Sequence, residues 1–159
     1  MRIFTWILIA VTIVALAVLG YGAYGLRVQP GTMSVAVTPA AQAIEQFEAL
    51  RASVDEGSFT GRVFVGEALS NPEEYVFVTY TLRVKNVGFI PAEWIELAVT
   101  PAGGDVLELD RDGAQALSAM SEGDLKAVVL QKGDGSDAQR AAQVTYYAFG
   151  RPYVIDVEP

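Results

Sequence analysis

From Ile3 to Leu26 the chain runs for 24 residues without a charge. A helix over that run extends about 36 Å at about 1.5 Å per residue, more than the roughly 30 Å hydrocarbon thickness of a bilayer. Such a segment has to be kept from water, so it constrains the protein more than any other stretch. Two fates compete for it. A cleavable signal has an apolar core of about 7–15 residues and a small-residue cut site in a more polar context. A cut after Ala15-Leu16-Ala17 leaves Val18-Leu19-Gly20-Tyr21 as an apolar new N-terminus, with Arg27 the next charge. Retention fits these residues better, with residues 3–26 crossing a lipid bilayer.

The flanks agree with retention. Trp6 lies near one end of the run and Tyr21 and Tyr24 near the other, where amphipathic rings favour the headgroup regions. Arg2 and the terminal amine face only Arg27 on the far side, a bias toward a cytoplasmic N-terminus. The expected location is then the cell membrane, single-pass, with the C-terminal domain extracytoplasmic. Gly20, Gly22 and Gly25 form no G-x-x-x-G pair and read as a loosely packed helix end. The chain divides into a transmembrane anchor over 1–27, a hinge over 28–32 that carries Pro30 and Gly31, and a domain over 33–159.

About 130 residues remain beyond the apolar run, enough for one domain with its own core. Of the 11 bases, Arg2 and Arg27 flank the anchor, so the domain sets 9 bases against all 19 acids, a net charge near −10. Such a surface repels phosphate backbones and anionic lipid headgroups, so neither nucleic-acid binding nor peripheral membrane attachment through basic patches is expected. The chain has no cysteine and no histidine, which removes disulfides, thiolate nucleophiles, Ser-His pairs and the usual zinc ligands.

Period-two patterning then sets the fold class. In "YVFVTYTLRVKN" Val76, Val78, Tyr80, Leu82 and Val84 share one face, and Phe77, Thr79, Thr81, Arg83 and Lys85 the other, as in a half-buried antiparallel strand. Further strands are expected over 33–37, 59–69, 93–100, 106–109, 124–131, 143–150 and 153–157, parted by turn residues such as "SNPEE", "NVGFIPA", "PAGGD" and "KGDGSD". One helix is expected over 39–53, with Thr38 as N-cap, Pro39 in the first turn and an apolar stripe of Ala43, Ile44, Phe47 and Leu50; Gly57 and Ser58 end that region. About eight short strands with frequent turns indicate a mainly β chain, an immunoglobulin-like antiparallel sandwich with one short helix. The stretch "VTYTLRVKNVG", an alternating strand ending in Asn-x-Gly, resembles bacterial immunoglobulin-like extracellular β-sandwich modules. That resemblance implies an adhesive, scaffolding or accessory domain.

Candidate sites are few. Phe89, Ile90, Pro91 and Trp94 in "GFIPAEW" would form an apolar contact surface if exposed together. Glu108, Asp110 and Asp112 before Gly113 resemble the first half of a calcium loop, but the closing position, 119, is Ala, and only Asp105 or Glu122 folding back could replace it. Asp134 and Asp137 read as turn residues. Tyr146, Tyr147, Phe149 and Tyr153 fall on neighbouring strands, so about half of them should be core and the rest could form a platform. Ser121 and Lys126 lack the S-x-x-K spacing of a dyad, and nothing fixes two carboxylates across a cleft. The expectation is a non-enzymatic, cofactor-free interaction or accessory module of the cell envelope with an envelope protein as partner. Cation or glycan binding is the alternative.

Overall fold

The computed structural model describes residues 2–25, 27–109 and 115–159. Helix α1 spans Arg2–Gly25, and its Ile3–Tyr21 stretch is long and apolar enough to cross a membrane, with none of it buried against the rest of the chain. Its one mid-helix hydroxyl, that of Thr12, donates to the Leu8 carbonyl at 2.9 Å, which satisfies the group inside the helix. Trp6 and Tyr21 are exposed, as ring anchors at two headgroup levels require.

The remaining chain forms two antiparallel sheets. Strands β1 (Val28–Pro39), β3 (Tyr75–Asn86), β7 (Glu122–Lys132), β5 (Asp105–Glu108) and β2 (Arg62–Val63) make one, in that spatial order. Strands β6 (Gln115–Leu117), β4 (Ala92–Val99), β8 (Ala142–Ala148) and β9 (Arg151–Val157) make the other. The two sheets together make a mainly β, antiparallel sandwich, as expected, with β6 flanking β4 although it follows β5 in the chain. Val76, Val78, Tyr80, Leu82 and Val84 face the inter-sheet core with Leu97, Val144, Ala127 and Val129, as the period-two pattern requires.

The other face of the first sheet is also covered, which the pattern did not foretell. Helix α2 (Ile44–Asp55) and the segment after it lie on its outer side, where Phe47, Leu50 and Leu69 pack with Tyr75, Phe77, Leu107 and Leu130. Strand β3 is therefore buried on both faces over Tyr75–Val78 and only on the inner face near Arg83 and Lys85. Phe47 and Leu50 are buried as expected, whereas Ile44 is exposed. The expected Thr38 cap is replaced: Thr38 pairs with Phe77 in β1, and a 3-10 turn over Ala40–Ala43 precedes the helix without a side-chain cap. Gly57 takes φ 69° just past the helix, the left-handed stop that glycine permits.

Three other expectations change. The hinge over 28–32 is strand, since Val28, Gln29 and Pro30 pair with Asn86, Lys85 and Val84 before a bulge at Gly31. A Cβ at Gly31 would meet the Arg83 carbonyl oxygen at 2.9 Å, so this bulge needs glycine. The 59–69 stretch contributes only Arg62–Val63 to a ladder. Strand β6 was not foreseen; three residues are too few for a periodic signal.

Candidate functional site

The strand register gathers four connections at the end of the sandwich where the chain leaves α1. Val28 pairs with Asn86 and Lys85 with Glu122 in one sheet, while Ala92 pairs with Leu117 and Ala148 with Arg151 in the other. The β3–β4 loop over 87–91, the β6–β7 turn over 118–121 and the β8–β9 turn at Phe149-Gly150 therefore surround Arg27. Two ties pin that point. The Val87 amide donates to the Arg27 carbonyl at 2.9 Å, and Val28 pairs with Asn86 in the ladder. Within the second sheet at this end, Tyr146 stacks on its β9 register partner Tyr153 with centroids 5.4 Å apart.

Asn86 organises this end. It is fully buried, and its side-chain amide donates to the carbonyls of Ile90 at 2.7 Å, Ser118 at 3.2 Å and Leu117 at 3.3 Å. Its side-chain oxygen accepts from the Gly88 amide at 3.0 Å, and its backbone amide donates to Ser121 at 2.8 Å. One residue thus joins both loops, which lie close enough for the Met120 amide to reach the Gly88 carbonyl at 3.2 Å. The sequence reading gave Asn86 a role in turn conformation; the side chain acts as a hub from within β3 instead.

Above that hub the loops carry bare apolar side chains. Phe149 (73% exposed), Met120 (65%), Trp94 (63%) and Phe89 (62%) are the four most exposed large apolar side chains outside α1 among the described residues. Three of them occupy left-handed backbone: Trp94 at φ 51°, Met120 at φ 55° and Phe149 at φ 51°. That conformation costs a side-chain-bearing residue about 1–2 kcal/mol. Trp94 shows how exposure arises. A bulge interrupts β4 between Ala92 and Ile95, so both of those face the core while Glu93 and Trp94 both point outward. Alternation with Ile95, Leu97 and Val99 already sets Trp94 on the outer face; the bulge adds Glu93 beside it and turns Ala92 inward.

The expected contact surface is therefore redrawn. Phe89, Pro91 and Trp94 are exposed, but Ile90 is buried with only 6% of its surface accessible, since its carbonyl is held down by Asn86. Met120 and Phe149 take its place, which only the three-dimensional pairing of turns could reveal. Of the tyrosine strands, Tyr146 is core, and Tyr147 and Tyr153 are partly exposed. Charges at this end are mixed: Arg27, Lys85 and Arg151 against Glu93 and Glu122, with Glu122 paired to Arg83 at 3.3 Å. The domain as a whole is far more acidic.

The far end is built differently. Arg140 makes a two-pronged bond to Asp105, at 2.6 and 2.9 Å, donates to the Tyr80 hydroxyl at 2.8 Å and reaches the Thr100 carbonyl at 3.2 Å. Asp105 also accepts from the Ala102 amide at 2.9 Å. Burial works against the Arg140 charge, but the Asp105 and Tyr80 bonds outweigh it and hold its pKa above the ordinary arginine value. Burial raises the Tyr80 hydroxyl above the ordinary tyrosine value. With each of the three guanidinium nitrogens bonded, this cluster closes the β4–β5 and β7–β8 connections. Asp105 is thereby committed to Arg140, not to a cation.

The remaining candidates are dispersed. Glu108 is buried in β5, and Asp110 and Asp112 lie outside the described residues. Asp134 accepts from the Ser136 amide at 3.0 Å, a turn bond that lowers its pKa. Ser121 donates to the Ser118 carbonyl at 2.7 Å, while Lys126 sits on β7 opposite Thr81. Among the described residues no group of three or more acidic side chains could hold a metal ion. Comparison with family models, with curated proteins and with solved structures finds no match for this chain.

Proposed function

We propose that this chain is a single-pass membrane protein whose sandwich stands outside the cytoplasm as an accessory, protein-contacting domain of the cell envelope. The observation that carries this reading is the junction. An apolar helix with none of its spanning stretch buried ends at Gly25, and by Val28 the chain is already inside a β-ladder. A helix that packed on the sandwich would be a core element; this one gains no cover from the described residues, and a bilayer would supply it.

Contact, not catalysis, is the proposed mode of action. The buried charged pair at the far end is engaged internally through each guanidinium nitrogen and both Asp105 oxygens, and the long outer strands β1 and β9 each leave one edge without a neighbouring strand. A partner strand could add there through main-chain hydrogen bonds. Pro30 and Pro39 interrupt donors along β1, and Pro152 does so near the start of β9, which confines added pairing to Met33–Thr38 or Tyr153–Val157.

Protease treatment of intact and opened cells tests the orientation. The sandwich should be cleaved or labelled from outside in spheroplasts with the inner membrane closed. Protection until that membrane is breached would place it in the cytoplasm and defeat the proposal. Photocrosslinkers at Val35 and Val154 in native membranes should each be scored for an envelope-protein adduct; absence at both edges would remove the strand-addition mechanism.

A further inference from the structure

We propose that the rim formed by Phe89, Trp94, Met120 and Phe149 rests in the headgroup region of the same bilayer that α1 crosses, so that the sandwich is held against the lipid at a fixed tilt. This rests on the membrane-anchored reading above and adds a second contact to it. Only residues 26 and 27 separate the end of α1 from β1, so Gly25 and Val28 lie three Cα–Cα steps apart, no more than about 11 Å fully extended. The Arg27 carbonyl is fixed to Val87 in the loop that carries Phe89. A helix that spans the membrane therefore brings this end of the sandwich to the membrane surface, whatever angle the helix takes.

The chemistry of the rim matches that place. Its four most exposed apolar side chains come from three different connections and the β4 bulge, yet all gather on the side from which α1 departs. Rings and a thioether suit a boundary where one side is wet and the other is hydrocarbon. Arg27, Lys85 and Arg151 stand at this end with Glu93 and the Arg83-paired Glu122, a mixed charge set in a domain otherwise dominated by acids, so the rings and thioether carry the contact. Left-handed backbone at Trp94, Met120 and Phe149 turns those side chains out of the sandwich, and hydrophobic solvation in the interface supplies what the core does not.

Trp6 and Trp94 are the chain's only tryptophans, so Trp6→Phe leaves Trp94 as a single reporter. The full chain carrying that change is reconstituted in vesicles of phosphatidylcholine and phosphatidylglycerol that include lipids brominated either near the headgroup or near the chain end. Flotation with the vesicles reports the anchor independently. The expected result is that Trp94 emission shifts to the blue, is quenched strongly by shallow bromines and weakly by deep ones, and becomes shielded from aqueous iodide. Adding Phe89→Asp and Phe149→Asp, both at exposed sites, should abolish the quenching and the shift while flotation persists. A chain that floats but leaves Trp94 open to iodide and unquenched by either lipid overturns the rim contact alone. A chain that does not float overturns the anchor and the rim together. Shielding seen in native membranes but absent from pure lipid vesicles assigns the rim to a protein partner and equally overturns the lipid contact.

Discussion

The two ends of the sandwich solve the same problem with opposite materials. Each must hold together connections from both sheets, and each does so through one buried polar side chain that reaches across them. At the far end Arg140 buries a full charge against Asp105 and Tyr80, and the surroundings close over it. At the α1 end Asn86 is neutral, and the loops it ties keep their apolar tips outside. A charged clamp tolerates no loosening, because an unpartnered buried ion is costly. A neutral hub tolerates a surface that meets something else. The difference separates a closed end from one that leaves large apolar side chains exposed.

The largest effect that would test this contrast is at the clamp. Asp105→Ala should destabilise the domain by about 3–5 kcal/mol in chemical denaturation, because it strands the Arg140 charge. Arg140→Met with Asp105→Leu should recover most of that loss, since the pair's value lies in being complete. Recovery of nothing would mean that the clamp contributes more than closure. Asn86→Ala should follow at about 2–3 kcal/mol, the penalty for leaving buried carbonyls and an amide unsatisfied. Its signature is local: hydrogen exchange should quicken over 87–91 and 118–121 before it does in β3 or β7.

A smaller effect has the opposite sign. Phe149→Asn or Met120→Asn places a residue tolerant of left-handed backbone at a strained, exposed site, and should stabilise the soluble sandwich by up to about 1 kcal/mol. The same variants should hold the membrane less well. If they destabilise instead, those side chains support the fold and the contrast between the ends weakens. Last comes alkaline pH. Burial holds the Tyr80 and Tyr146 hydroxyls above their ordinary value. Stability owed to their neutral forms should be intact below about pH 10 and be lost as the pH rises through the raised values, which phenolate absorbance and melting temperature can follow together. Tyr80→Phe should blunt the fall by removing one titrating group.

The sequence made the inner face of β3 legible because five apolar residues in strict alternation admit one orientation. It made α1 legible because 24 uncharged residues need a nonaqueous home. It also marked Phe89 and Trp94, two rings beside a turn, as candidates for contact. What it hid was pairing across distance. Arg140 and Asp105 stand 35 positions apart, and no local pattern joins them. Ile90 reads as one more apolar residue in a loop until the bond from Asn86 draws it inward, and Met120 and Phe149 join the rim only because two turns meet at one end. The bulge that sets Glu93 beside Trp94 on the outer face and turns Ala92 inward likewise shows only in the pairing with β6 and β8.

The most direct measurement is the intact mass of the mature polypeptide, taken separately from alkaline-washed membranes and from the soluble fraction of its native cells. We expect a chain that keeps residues 3–26 and stays with the membranes. A mature chain that begins at Val18 and is recovered only in the soluble fraction would contradict the tether and, with it, the assignment of the two ends.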